Sequence, residues 1–186
     1  MDNPTLRVIR QRRSIRSFKD EKIKDEELKA IVEAGNYAPY AEEGSRYITV
    51  IQNKNLLHKL NSIAKEVAQT MALEGLRKLG RDENFHSLYG APTLLIISGR
   101  EQSVSPEADC AAATQNILLA AESMEIGSCW IFFDLLAFFS PQGAELRSEL
   151  KIPAGFKPYT SVALGYKNSR EDDMPDRNLS NVTFVR

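Results

Sequence analysis

Six cations, Arg7, Arg10, Arg12, Arg13, Arg16 and Lys19, fall in one stretch that contains no carboxylate. The chain as a whole has a formal net charge of -1, so solubility does not call for such a block. A planar guanidinium donates two parallel hydrogen bonds to one anionic group, and several together suit an anion with several oxygens. Ser14 adds a hydroxyl among the guanidiniums, a group that completes a phosphate shell. Two other uses of the block are open: a solvated basic helix end, and an arm for nucleic acid. The second lacks a broad electrostatic footprint, since the sequence pI is about 6.2.

Other reactive residue types are sparse. His58 and His86 are the only histidines, and neither has a metal ligand at a recognised spacing, so no metal site is expected. Cys110 and Cys129 have no neighbouring histidine to activate them and read as buried thiols. Asp134 and the pair Asp172-Asp173 carry no reaction-specific spacing. There is no Walker-type phosphate loop and no Gly-x-Gly-x-x-Gly turn. Without a nucleophile or an acid–base couple, a reaction here needs a bound cofactor for its chemistry.

A chain of 186 residues with 42% hydrophobic content fits one domain covering 1–186. Two cysteines point away from a disulfide framework and toward a reduced, cytoplasmic setting. No apolar run is long enough for a membrane span, and none is expected.

Asn3-Pro4 should open a helix to about Gln11, and Asp25-Glu26-Glu27 a second helix ending near Gly35. A loop from Ala38 to Arg46 leads into a β-branched strand, Tyr47 to Gln52. Asn53 can cap a long amphipathic helix. Leu73 to Phe85 reads as a surface helix or a mobile lid. Thr93 to Ile97 is a buried strand, and 107–124 is a helix rich in small residues, central or at an interface. Ser128 to Phe133 reads as a strand, then Pro141 to Leu150 as a helix, then Tyr159 to Gly165 as a strand. Val182 to Val185 offers an edge strand. Helices interleaved with scattered strands make the class α+β.

Arg12-Arg13-Ser14-Ile15-Arg16-Ser17-Phe18 resembles the opening signature of the flavin-dependent nitroreductase family. Further pieces follow in order: Ala38-Pro39 with Ala41, Tyr89-Gly90-Ala91-Pro92, and Asp109 before Ala111 to Ala121. Ile126 to Ile131, Leu150-Lys151-Ile152-Pro153 and Val162 to Tyr166 complete them. The resemblance implies a central mixed sheet flanked by helices, in an intertwined homodimer with FMN at the interface. It implies that Arg12 and Ser14 meet the FMN phosphate, joined by Arg177. Arg13 and Arg16 would lie along the ribityl chain or near the pyrimidine end. The backbone at Phe132-Phe133 would approach flavin N5. A cation beside reduced flavin stabilises its negative charge.

The loop after Ala38-Pro39 departs from the family pattern, with Tyr40, Glu43, Ser45, Arg46 and Tyr47 at positions that usually hold other residues. Tyr40 and Glu43 are the expected substrate-pocket residues, with Arg46 available to pair Glu43. Phe133 stands where glycine is common. The expected activity is hydride transfer from NAD(P)H through FMN to a nitroaromatic, quinone or similar small acceptor. Dehalogenation or dehydrogenation on the same fold, a non-catalytic FMN-binding protein, and an interaction dimer without cofactor are the alternatives.

Overall fold

Asn3 accepts the amide of Leu6 at 2.8 Å, and Pro4 needs no donor in the first turn, so α1 runs Pro4–Gln11. The structure is a computed structural model describing residues 3–168, 177–178 and 180–186. α2 covers Asp25–Asn36, its three acids in the first turn and Glu27 reaching back to the Lys24 amide at 2.9 Å. β1 is Arg46–Ile51. Asn53 then caps α3, Lys54–Thr70, through the amides of Asn55 and Leu56.

Glu74–Arg81 forms α4. Lys65 donates to the carbonyls of Asp82 and Phe85, and Gln69 to that of Gly80, so α4 is held on α3 as a surface helix. β2 is Thr93–Arg100, α5 Pro106–Ser123 and β3 Ile126–Ile131. A 3-10 helix spans Phe133–Phe139, α6 Gly143–Glu149 and β4 Phe156–Tyr166. The expected strand through Phe133 therefore stops at Ile131, and the expected helix from Pro141 begins at Gly143. Val182 to Val185 forms no strand and is exposed, which removes that expectation.

The four strands lie in the order β1-β2-β4-β3, each pair antiparallel. The sheet formed by the named strands is thus antiparallel, and one isolated parallel bridge, Ser14 to Ser128, lies outside those strands. Leu94 and Ile96 face one core with Leu57, Leu60 and Ile63 of α3, while Leu95 and Ile97 face the other with Ile117 and Leu118 of α5. Burial on both faces explains the uninterrupted apolar run of β2. Each fully buried Leu or Ile contributes about 1.5–3 kcal/mol. The small residues of α5 serve a central position between the sheet and α2.

Candidate functional site

The segment after α1 is laid along the open edge of β3. Ile15 is buried and its amide donates to the Ser128 carbonyl at 2.9 Å. Further on, Phe18 bridges Lys167 and the Lys19 amide donates to the Tyr166 carbonyl. The approach is close because glycine faces it twice. A Cβ on Gly127 would meet an Ile15 methyl at 3.1 Å, and one on Gly165 would meet Phe18 at 3.1 Å. In extended chain the neighbours of a buried residue point the other way, so Ile15 inward turns Ser14 and Arg16 outward.

The arginines are not equivalent. Arg13 donates to the carbonyls of Arg10 and Arg12 at 2.8 and 2.7 Å, satisfying orphan carbonyls at the end of α1. Arg12 is half-buried, and its guanidinium has no hydrogen-bond partner among the described residues. Arg16 is exposed, touches the Ser14 carbonyl at 3.3 Å and lies 5.8 Å from the centre of the Tyr89 ring. Among the described residues, ion pairs join Lys54 with Asp20, Lys59 with Glu149, Arg77 with Glu74 and Lys167 with Glu122.

From Arg16 an aromatic wall continues. Tyr89 meets Phe85 edge-on at 6.4 Å, and Phe85 meets Phe133 edge-on at 4.9 Å. Tyr89 sits at φ 53, a left-handed conformation that costs a non-glycine residue energy, and Gly90 follows at φ 72. This strained turn carries the Tyr89 ring to its place between Arg16 and Phe85. Phe132 stacks on Trp130 at 5.6 Å and remains 60% exposed. Ser14 pairs with Ser128, four residues before Phe132 on the same strand path, about 13 Å away at strand rise. The segment thus places a cationic corner at one end of an edge and an aromatic turn at the other.

Beneath the turn lies Asp134, fully buried, its Oδ1 2.7 Å from the Ser161 hydroxyl and its Oδ2 without a partner. Burial pushes its pKa up to about 6, against the opposing hydrogen bonds from Ser161 and from the backbone amides of Asp134 and Leu135. His86 is half-buried, with its ring 5.9 Å from that of His58. Its pKa is lowered by burial first, then by His58 and Lys65. The two histidines are therefore neighbours, which their separation in sequence concealed. Among the described residues no cluster of three His, Cys, Asp or Glu could hold a metal. Cys110 and Cys129 are buried thiols outside any disulfide, and burial pushes the pKa of Cys110 up to about 12.

The loop carrying Tyr40 and Glu43 is not brought to this edge. Arg46 pairs with Gly99 in the sheet and the Arg100 amide donates to Ser45, which places the loop at the far end of β2, beside the opposite edge strand. Arg46 does not pair with Glu43. It donates to the carbonyls of Asn36, Ala38, Pro39 and Asp109, and lies 5.4 Å from the Tyr40 ring centre. The carbonyls of Asn36, Ala38 and Pro39 lie at and beyond the end of α2, where backbone acceptors lack helical partners, while that of Asp109 belongs to the first turn of α5. Asp109, buried, accepts from the Ala41 amide at 3.0 Å and the Ser45 hydroxyl at 2.6 Å. Arg177 is exposed and makes no hydrogen bond or ion pair among the described residues. Asp172 and Asp173 lie outside them.

Sequence reasoning missed Phe85 and Tyr89 as a wall and Asp134 as a buried acid. The aromatic pair, four residues apart before a Gly-Ala-Pro turn, was a usable signal. Nothing local marks Asp134.

A sequence profile described as the nitroreductase family matches residues 9–166. The chain resembles a nitroreductase with bound FMN from Bacteroides fragilis, at 32% identity, full coverage of both chains and a TM-score of 0.90. A nitroreductase with bound FMN from Desulfitobacterium hafniense gives 29% identity, full coverage of both and a TM-score of 0.91. An Archaeoglobus fulgidus protein, provisionally named NADH dehydrogenase/NAD(P)H nitroreductase, is 29% identical over 90% of this chain and 87% of its own length. With the basic segment on the β3 edge and the profile spanning most of the sequence, this chain belongs to the nitroreductase family.

Proposed function

We propose that the chain is an FMN-dependent oxidoreductase, reduced by NAD(P)H and passing hydride to a nitroaromatic, quinone or similar acceptor. One observation carries the reading furthest: a cationic segment with no carboxylate in its own run from Arg7 to Lys19, anchored to β3 at Ser128 and joined through Arg16, Tyr89 and Phe85 to the Phe132–Phe133 turn. The donor set fits a phosphate, which carries nearly two negative charges at neutral pH and takes several charge-assisted hydrogen bonds. FMN, when bound, supplies the redox chemistry, accepting and releasing hydride at N5.

The chain's own residues bind and orient. Arg12 and the Ser14 hydroxyl hold the phosphate, and Arg177 adds charge to it. Arg13 ties the end of α1 and so steadies Arg12. Arg16, fixed over Tyr89, places a cation toward the ribityl and pyrimidine side. The backbone of Phe132-Phe133 would face N5 of a bound FMN, and the paired Phe85 and Phe133 rings would shield that side from water.

We read the protein as one domain over 1–186 acting as a homodimer. Two features support this. Tyr40 and Glu43 sit at the opposite end of the sheet from the basic segment of the same chain, so they reach such a site only in a partner. A groove of about 490 Å³ between α1 and α5, lined by Pro4, Val8, Leu119 and Ala120 among others, is predominantly apolar.

Arg12→Ala and Arg16→Ala should each weaken FMN retention by about 1.5–3 kcal/mol, roughly 10- to 150-fold in Kd. Equilibrium dialysis with FMN measures this, and unchanged affinity in both variants removes the assignment. Anaerobic bleaching of the yellow protein by NAD(P)H, with turnover of an added quinone, tests the reaction. A coloured protein that NAD(P)H leaves oxidised overturns it.

A further inference from the structure

Ser161 has one hydroxyl proton and two acceptors within reach. Its Oγ is 2.8 Å from the Ile131 carbonyl and 2.7 Å from Asp134 Oδ1. Ile131 is the last residue of β3, and Phe132, Phe133 and Asp134 follow it directly. A hydroxyl can serve both neighbours only if one of them brings a proton of its own. The carbonyl has none to give. A protonated Asp134 donates to Ser161 Oγ, and Ser161 then donates to Ile131. An ionised Asp134 must accept, so Ser161 turns its proton to the carboxylate and withdraws it from the carbonyl.

We propose that Asp134 is a positioning residue whose proton locks the Phe132–Phe133 turn through Ser161 and the Ile131 carbonyl. The inference rests on the reading above, in which this turn lies beside the flavin ring. It explains a buried carboxyl with an orphan oxygen: Oδ2 is partnerless, a smaller penalty for a neutral acid's carbonyl oxygen than for a carboxylate. The pKa agrees, raised from 3.8 to about 6 by burial, with Ser161 and the amides of Asp134 and Leu135 opposing. The largest influences on Asp134 are burial, Ser161 and two backbone amides; titratable groups of the packed elements, among them His58 and Lys59 of α3, Glu145 and Glu149 of α6 and Lys157 of β4, are not among these. The proton is therefore exchanged with solvent near pH 6, and the turn is locked below that pH and loosened above it.

Trp130 reports the turn without flavin, because it is the chain's one tryptophan and stacks on Phe132. In the full chain stripped of flavin, its emission should titrate with a midpoint about pH 6. Asp134→Asn, which copies the neutral acid, should fold, stay in the locked form and abolish the titration. Ser161→Ala should also abolish it, since the link to Ile131 is gone. His86→Gln should leave it intact, which separates Asp134 from the histidine pair. Emission flat across pH 5–7.5, a titration kept in Asp134→Asn, or an Asp134→Asn chain that cannot fold would each overturn the proposal. In the FMN-loaded protein the visible flavin band should shift over the same range. A titrating tryptophan beside an unmoved flavin band would overturn the role toward the ring while leaving FMN binding itself to the Arg12 and Arg16 variants.

Discussion

The two edges of the sheet are held by similar residue types used in opposite ways. At the β1 edge, Asp109 accepts from two donors and the Arg46 guanidinium is shared among four carbonyls. At the β3 edge, Asp134 has a single side-chain partner and an oxygen without one, and Arg12 has no hydrogen-bond partner among the described residues. Saturated polar groups hold a loop in one conformation and have little left for a ligand. Unsaturated ones cost stability when folded and return it when something binds. The contrast separates a corner that maintains shape from an edge that is available for binding.

Breaking the closed corner should have the largest effect. Asp109→Ala removes both bonds to the Ala41–Ser45 loop and should cost roughly 3–5 kcal/mol, read from urea unfolding. Arg12→Ala, on the open edge, should stay within about 0.5 kcal/mol in the same assay.

Asp134 gives the next effect, with a pH signature. Its pKa is raised in the folded state, so the native protein holds the proton more tightly than the unfolded chain. Stability should therefore be full below about pH 4 and fall as pH rises to about 6, by on the order of 3 kcal/mol. Thermal midpoints across this range check it: after subtraction of the Asp134→Asn curve, the residual slope should be negative. A positive residual slope would show the carboxylate stabilised by a partner.

Arg46→Met keeps much of the stem and loses the carbonyl contacts. It should cost about 2 kcal/mol. Smallest of all, Glu43→Gln should move stability by less than about 0.5 kcal/mol, since the side chain is exposed. If the loop reaches a partner's site, the same variant changes KM for the acceptor. A large stability loss in Glu43→Gln would merge the two corners and dissolve the comparison.

Much of the fold was legible before any coordinates. Asn3-Pro4, Asp25 to Glu27 and Asn53 mark helix starts because their side chains answer needs of the first turn. The basic segment was legible because a carboxylate-free run of cations is a compositional fact. The strand ending at Ile131 was overrun because Phe132 and Phe133 suit a strand as well as a core turn. The Val182 to Val185 strand failed because β-propensity alone provides no partner strand.

The sequence by itself settled which residues carry charge, which segments alternate or run apolar, and that a cation-rich piece precedes the second helix. Only the tertiary structure decided how each charge is used. Asp109 meets a serine 64 positions away, and Asp134 one 27 positions away. Burial and satisfaction are properties of those distant pairings, and no local pattern records them. The same arginine or aspartate becomes a fastening or an open hand according to what the folded chain places within 3 Å of it.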